Sequence, residues 1–392
     1  MTDQRPTRRR WFQFRLRTLL AAVLVLSLAL SWYAVRVERA GGQRDVDAVV
    51  QVGGDVVYEW ELEDPAKSVT PPKSSWLQAV LGHDARKGIV TVNFKSSRVT
   101  DDTLRHLHKF SDLQCLVLRN TKIGDAGLKH IESLSTLQEL NLSVTQITDD
   151  GLAHLESLTN LRSLKLAGTE ITDAGMEHIG QLRNLQELGL TEASQVTDAG
   201  LSHLHGLSQL KQLHLWGTQL TDKGLEHFRA CPGLQELHLA FTRITDEGLV
   251  HVGEFSDLRS LDLTGTQVTD EGLEHIEGLV NLRSLLVSQL GVSDKGLKYL
   301  DAMHQLECLY LRGSSVSDEG LEAVARHKNL KELSLSDTGI SDAGLMHLRG
   351  LIGLELLYVH HTDVTEDGAK GLKKALPNCE IVYGAEVIQR AT

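Results

Sequence analysis

Histidine and aspartate recur in this chain at a spacing that suggests metal chemistry. His106, His130, His154, His178, His203, His227, His251, His275 and His347 fill one position of a repeated unit, with Tyr299 and Ala323 filling it elsewhere. Eleven aspartates, from Asp101 to Asp342, form a second ladder in the same phase. Imidazoles suit zinc and carboxylates suit calcium, but zinc needs about four ligands at one point and calcium about 6–8 oxygens. Equivalent groups on neighbouring helices stand about 8–10 Å apart, too far to share one ion. The histidines are therefore read as structural contacts between repeats and the aspartates as helix caps. Neither ladder is expected to hold a metal or a cofactor.

A second set of residues breaks the repetition. His214, Trp216, His238, Phe241 and Asp262 lie close together, and Tyr310, Arg312, Tyr358 and His360 (followed by His361) come later. Aromatic residues with Arg and His are the usual anchors of a binding surface, so these are the candidate contacts for a protein or peptide partner. His214, His238 and Asp262 fall on adjacent strands in the scheme below. Two metal ligands could meet there, which leaves a metal-dependent hydrolase as an alternative, but a straight row closes poorly around tetrahedral zinc. No HExxH, GxSxG, P-loop or GxGxxG motif stands in a suitable context. Cys115, Cys231, Cys308 and Cys379 form no CxxC pair and read as unpaired thiols. No catalytic residue is assigned, and the chain is not expected to be an enzyme.

These residues are positioned by a repeat. Segments like ITDDGL, which starts at Ile147, begin twelve times between Val99 and Val364. The interval is 24 residues, with one step of 25 between Ile171 and Val196. The unit reads LxxLxLxxTxITDxGLxHLxxL. In Leu137, Leu140 and Leu142 the last two leucines alternate inward along a short strand. The Thr that follows, as at Thr145, can satisfy loop backbone groups, and Leu290 interrupts that column. Thr148-Asp149 starts a helix whose buried stripe is Leu152, Leu155 and Leu158. Gly151 falls inside the stripe and is expected to let the helix approach the sheet closely.

The unit resembles the leucine-rich repeat family, whose signature is LxxLxLxxN/CxL with a period of 20–29 residues. The resemblance covers about three quarters of the chain. It implies an α/β solenoid, with a curved parallel sheet on the concave side and short helices on the convex side. At roughly 4.8 Å per strand the sheet would run on the order of 55–60 Å. The ITDxGL phrase is also similar to the cysteine-containing repeats of F-box proteins, which implies a substrate-recognition adaptor as a further alternative. This chain departs from them, with a period of 24, Thr in place of Cys, and no F-box before the repeats.

Charge and hydropathy divide the chain. Its net charge of −12 is +6 up to Arg36 and −18 beyond it, and an acidic body repels phosphate backbones, so no nucleic-acid partner is expected. Residues 18–35 (TLLAAVLVLSLALSWYAV) are uncharged, follow Arg8, Arg9, Arg10, Arg15 and Arg17, and carry aromatic residues at both flanks. They read as a single-pass signal anchor, with the N-terminus cytoplasmic and the repeats outside. FRLRTLLAAVLVL resembles the N-terminal anchors of bacterial membrane-tethered repeat proteins. A cleaved signal peptide is the rival reading, although its apolar stretch is typically about 7–15 residues. The expected organisation is a basic tail (1–17), the anchor (18–35), a spacer and cap (36–88), twelve repeats (89–375), and a half-repeat with a frayed tail (376–392). Within the cap, 45–52 and 76–81 are expected to be helical and 56–61 strand-like. The function expected of the whole is a membrane-anchored scaffold binding a protein or peptide on its concave face.

Overall fold

A computed structural model describes Ser27 and residues 42–58, 88–94, 98–384 and 386–388. Among these residues, fifteen strands form one sheet in strict sequence order. Each repeat contributes three residues to it, such as Gln212–His214, Glu236–His238 and Ser260–Asp262, all paired in parallel register. The two outermost pairings are antiparallel. Gly54–Tyr58 lies against Ile89–Phe94 at one end, and Glu386–Ile388 against Glu380–Tyr383 at the other. The cap is thus a helix at 42–51 followed by a hairpin strand, and Val49 is fully buried beneath it. The strand of the C-terminal half-repeat is followed by the short antiparallel strand Glu386–Ile388, which forms the last edge of the described sheet. The 76–81 helix lies outside the described residues.

The leucines behave as their period requires. Leu137, Leu140, Leu142, Leu152, Leu155 and Leu158 are all buried and join one continuous core. Each fully buried Leu is worth about 1.5–3 kcal/mol, so the stripe dominates the stability of a repeat. On the other layer, short helices, mostly single turns such as Asp222–Leu225, follow the strands of the repeats. Strands repeat at about 4.8 Å while helices pack no closer than about 8 Å, so the stack bends toward its sheet. The Thr that recurs in phase donates to the carbonyl three residues back, as from Thr145 Oγ1 to Leu142 O at 2.6 Å. Ser314 does the same toward Leu311 at 2.7 Å.

The aspartate ladder does something other than capping its own helix. Asp125 Oδ1 accepts the backbone N–H of Thr148 at 2.9 Å, and its Oδ2 accepts the Thr148 hydroxyl at 2.7 Å. Thr148 belongs to the next repeat, where it is the helix N-cap. The same two bonds join Asp222 to Thr245, Asp246 to Thr269 and Asp270 to Ser293. All eleven aspartates accept the N–H, and all but Asp101, which faces Gly124, also accept a hydroxyl. The glycine of TDxG is explained by the same group. A Cβ on Gly151 would overlap Asp125 Oδ1, and one on Gly248 would overlap Asp222 Oδ1. The glycine therefore makes room for the preceding repeat's carboxylate, which corrects the expectation of close helix–sheet approach. Burial pushes Asp318 up, but the Ser341 hydroxyl and N–H and the Gly344 N–H outweigh it and hold the carboxyl below its ordinary range.

Several histidines of the ladder link repeats. His154 Nδ1 lies 3.2 Å from Glu132, and His178 Nδ1 lies 2.6 Å from Glu156, each one repeat back. His106 ties the first repeat to Asp45 of the cap helix at 3.0 Å. A different histidine, His327, is 2% exposed at a stripe position where other repeats carry Leu134, Leu158 or Leu351. Its Nδ1 donates to Met303 O at 3.2 Å, and burial holds its imidazole below the ordinary value. Cys231, in the same column, donates in the same way to Leu207 O at 3.2 Å.

The single-pass membrane location does not stand. Among the described residues no helix is long and apolar enough to cross a membrane. The described helices reach ten residues at Glu366–Ala375, against about 20 for a span. The 18–35 segment on which the expectation rested lies outside the described residues, Ser27 excepted.

Two stability predictions follow from these contacts. Asp246→Ala leaves the Thr269 N–H without its acceptor, while the hydroxyl keeps Glu271, and should lower stability by about 1–3 kcal/mol in chemical denaturation. A helix-dipole role alone would lose less than about 1 kcal/mol. For His327 the folded value is depressed, so the unfolded chain takes up a proton first as pH falls below about 6.5. Stability is full above that pH and is lost below it, by at most about 1.4 kcal/mol per pH unit. His327→Leu should flatten melting temperature between pH 7 and pH 5 relative to wild type; an unchanged slope would contradict the assignment.

Candidate functional site on the sheet face

Parallel register brings the first group of non-repeating residues side by side. His214 pairs with His238, and His238 with Asp262, as Cα neighbours on successive strands. The two imidazoles meet edge to face with centroids 4.6 Å apart. Burial, then the neighbouring His238, hold His214 below its ordinary value, while Glu187 at 3.9 Å opposes them. Asp262 is not turned into this pair. Its Oδ1 accepts the Thr264 N–H at 2.9 Å and so closes its own loop. Among the described residues no three His, Cys, Asp or Glu side chains are placed to hold a metal ion. The row therefore lacks the convergent third ligand that the hydrolase alternative requires.

Beside the histidines, Trp216 and Phe241 meet edge to face at 5.8 Å. Among the described residues, each repeat from the Cys115 strand onward has one residue of positive φ just after its strand, glycine at Gly168, Gly217, Gly265 and Gly313 and other residues elsewhere. Phe241 occupies this position with φ 54° and is 49% exposed. A bulky side chain in the left-handed region costs roughly 1–2 kcal/mol. A Cβ on Gly265 would overlap the Phe241 ring, so the glycine beside it leaves the ring its place. Val144 is the other large exposed apolar residue in this column, at φ 57°.

The second group lies beyond the intervening strand Ser284–Leu286. Tyr310 donates its hydroxyl to Glu332 at 2.9 Å, and burial followed by that bond pushes its phenol up. Arg312 Nε donates to Asp337 at 2.8 Å. The Tyr358 ring lies 6.4 Å from that of His360, whose Nδ1 donates to Gly384 O at 2.7 Å. These four residues surround a depression of about 460 Å³ together with Ser288, Ser334, Ser336, Asp337 and His361. Sequence reasoning missed the serines and Asp337. The one signal it offered was small residues standing between large ones in successive outward positions.

The four cysteines are free thiols. Burial pushes Cys115 and Cys231 up to about 11 and Cys379 up to about 12, which disfavours the thiolate that nucleophilic chemistry needs.

A leucine-rich repeat region family matches residues 104–276, and a second leucine-rich repeat family matches 302–325 and 326–348. No curated protein sequence matches the chain. An internalin from Listeria monocytogenes is similar in structure, with a TM-score of 0.57 at 20% identity, covering 80% of this chain and 94% of that one. A leucine-rich repeat protein from Leptospira interrogans matches with a TM-score of 0.42 at 19% identity, covering 82% and 97%. The PEPR1–AtPEP1 structure matches with a TM-score of 0.45 at 14% identity, covering 88% and 55%. The internalin likeness is one of fold, and the other two superpose too distantly to bear on the site. Repeat-family matches along the stack, on a fold shared with the internalin, make this chain a leucine-rich repeat protein.

Proposed function

We propose that the chain is a protein-interaction scaffold that binds a protein or peptide partner on the sheet face, at the patch formed by His214, Trp216, His238 and Phe241. Leucine-rich repeat proteins are generally such scaffolds. The observation that carries the placement is Phe241. Phe241 and Val144 are the large apolar residues half exposed at positive φ in this column, and Phe241, unlike Val144, pairs with a second aromatic ring. The strain at Phe241 is balanced by a use at the surface, and Trp216 at its edge makes a paired aromatic anchor. Asp262 extends the patch on the neighbouring strand. The reading needs no catalytic residue and no cofactor.

Phe241→Gly separates binding from folding. Stability should hold or rise by up to about 1 kcal/mol as the strain is removed, while partner capture falls at least about tenfold. The test is quantitative mass spectrometry of proteins retained by immobilised wild type, Phe241→Gly, and the double variant Trp216→Ala/His238→Ala. A partner enriched by wild type and lost by both variants supports the patch. Equal enrichment by all three proteins places the contact elsewhere.

A further inference from the structure

We infer that the sheet face carries a second site, a slot between Tyr310 and Tyr358 that takes a neutral saccharide ring. It lies beyond the Ser284–Leu286 strand from the aromatic patch and does not rest on the function proposed for that patch.

The slot follows from register. Tyr310, Ser334 and Tyr358 are direct neighbours on three successive parallel strands. One step further along the chain, the same three repeats present Arg312, Ser336 and His360. In both rows a buried serine stands between two large side chains, so the middle repeat is a floor and its neighbours are walls. Two strand intervals separate the backbones of the wall repeats by about 9–10 Å. Tyr310 and Arg312 lean from their own repeat to bond Glu332 and Asp337 of the middle one, while Tyr358 and His360 line the other side. The volume of about 460 Å³ is that of a small-ligand pocket.

The polar lining selects among ligands of that size. His360 Nδ1 faces a carbonyl, which can only accept, so this nitrogen carries the proton and Nε2 of the neutral ring is an acceptor. Asp337, bonded to Arg312 and 2.9 Å from His361 Nδ1, adds carboxylate acceptors at one end. Donors come from Arg312 and from the Ser334, Ser336 and Tyr358 hydroxyls. Arg312 and Asp337 neutralise each other at this end of the slot, so the pair offers an ion of either sign no uncompensated charge. A wholly apolar group would strip water from the floor serines without replacing it. A neutral ring of hydroxyls donates and accepts at once, and its C–H faces can lie against the tyrosine rings.

The test is calorimetric titration of the full chain with chitotriose, cellotriose, laminaritriose and mannotriose, and separately with inorganic phosphate and trilysine. At least one trisaccharide should bind with a Kd on the order of 10–1,000 μM. Tyr358→Ala should weaken that binding at least tenfold, Ser334→Tyr should abolish it by filling the floor, and Trp216→Ala should leave it unchanged. Should Ser334→Tyr fail to fold by thermal melting, Arg312→Ala at the exposed wall takes its place with the tenfold expectation. The inference is overturned if no trisaccharide binds, if binding survives these wall and floor variants, or if phosphate or trilysine binds there in place of sugar.

Discussion

One carboxylate per repeat fastens this solenoid. It leaves the first turn of its own helix, crosses to the next repeat, and accepts both the backbone N–H and the hydroxyl of the residue that starts the next helix. Much else in the unit is shaped by that bond. The Thr or Ser at the helix start is needed as a double donor, and the glycine three residues later is needed because a Cβ would overlap the carboxylate. The leucine stripe supplies most of the stabilising free energy, but apolar contacts are non-directional and would tolerate sliding. The charged hydrogen bonds set phase and spacing between neighbours. Stability in such a stack is nearly a sum over nearest-neighbour interfaces, so an interaction repeated at every interface weighs heavily.

The fold was largely legible because its signals are periodic. The Leu140 and Leu142 positions, the Thr145 turn and the Leu152 stripe each follow from alternation or helical spacing within one repeat, and each is where that reasoning places it. What escaped was the carboxylate bonding across repeats, although the histidine contacts between repeats were expected. Asp125 looks like a helix cap when only its own helix is considered, since its real partner is Thr148, 23 positions away. Gly151 looks like a packing glycine for the same reason. The terminal hairpin strand Glu386–Ile388 is short and lacks the repeat's signature, so period alone could not show it.

The candidate sites divide in the same way. Listing outward positions was enough to place His214 beside His238 and Trp216 near Phe241. It was not enough to show that Asp262 turns back to its own loop, because the competing Thr264 N–H is a backbone group that side-chain spacing does not count. Nor could it show that Ser334 and Ser336 are a floor, since a small residue becomes informative only when both neighbours are known to rise beside it. The sheet face thus combines a repeated frame with two non-repeating clusters, and the ladders that first suggest chemistry belong to the frame.

A double-mutant cycle between Asp222 and Gly248 tests the frame most directly. In an ordinary helix Gly→Ala stabilises by roughly 0.5–1 kcal/mol. Here Gly248→Ala should destabilise, because the added methyl meets Asp222 Oδ1. With Asp222→Ala also present that overlap is gone, so the double variant should lose less than the sum of the single losses, by about 1 kcal/mol or more. Additive losses, or a stabilising Gly248→Ala, would contradict the carboxylate as the fastening between repeats.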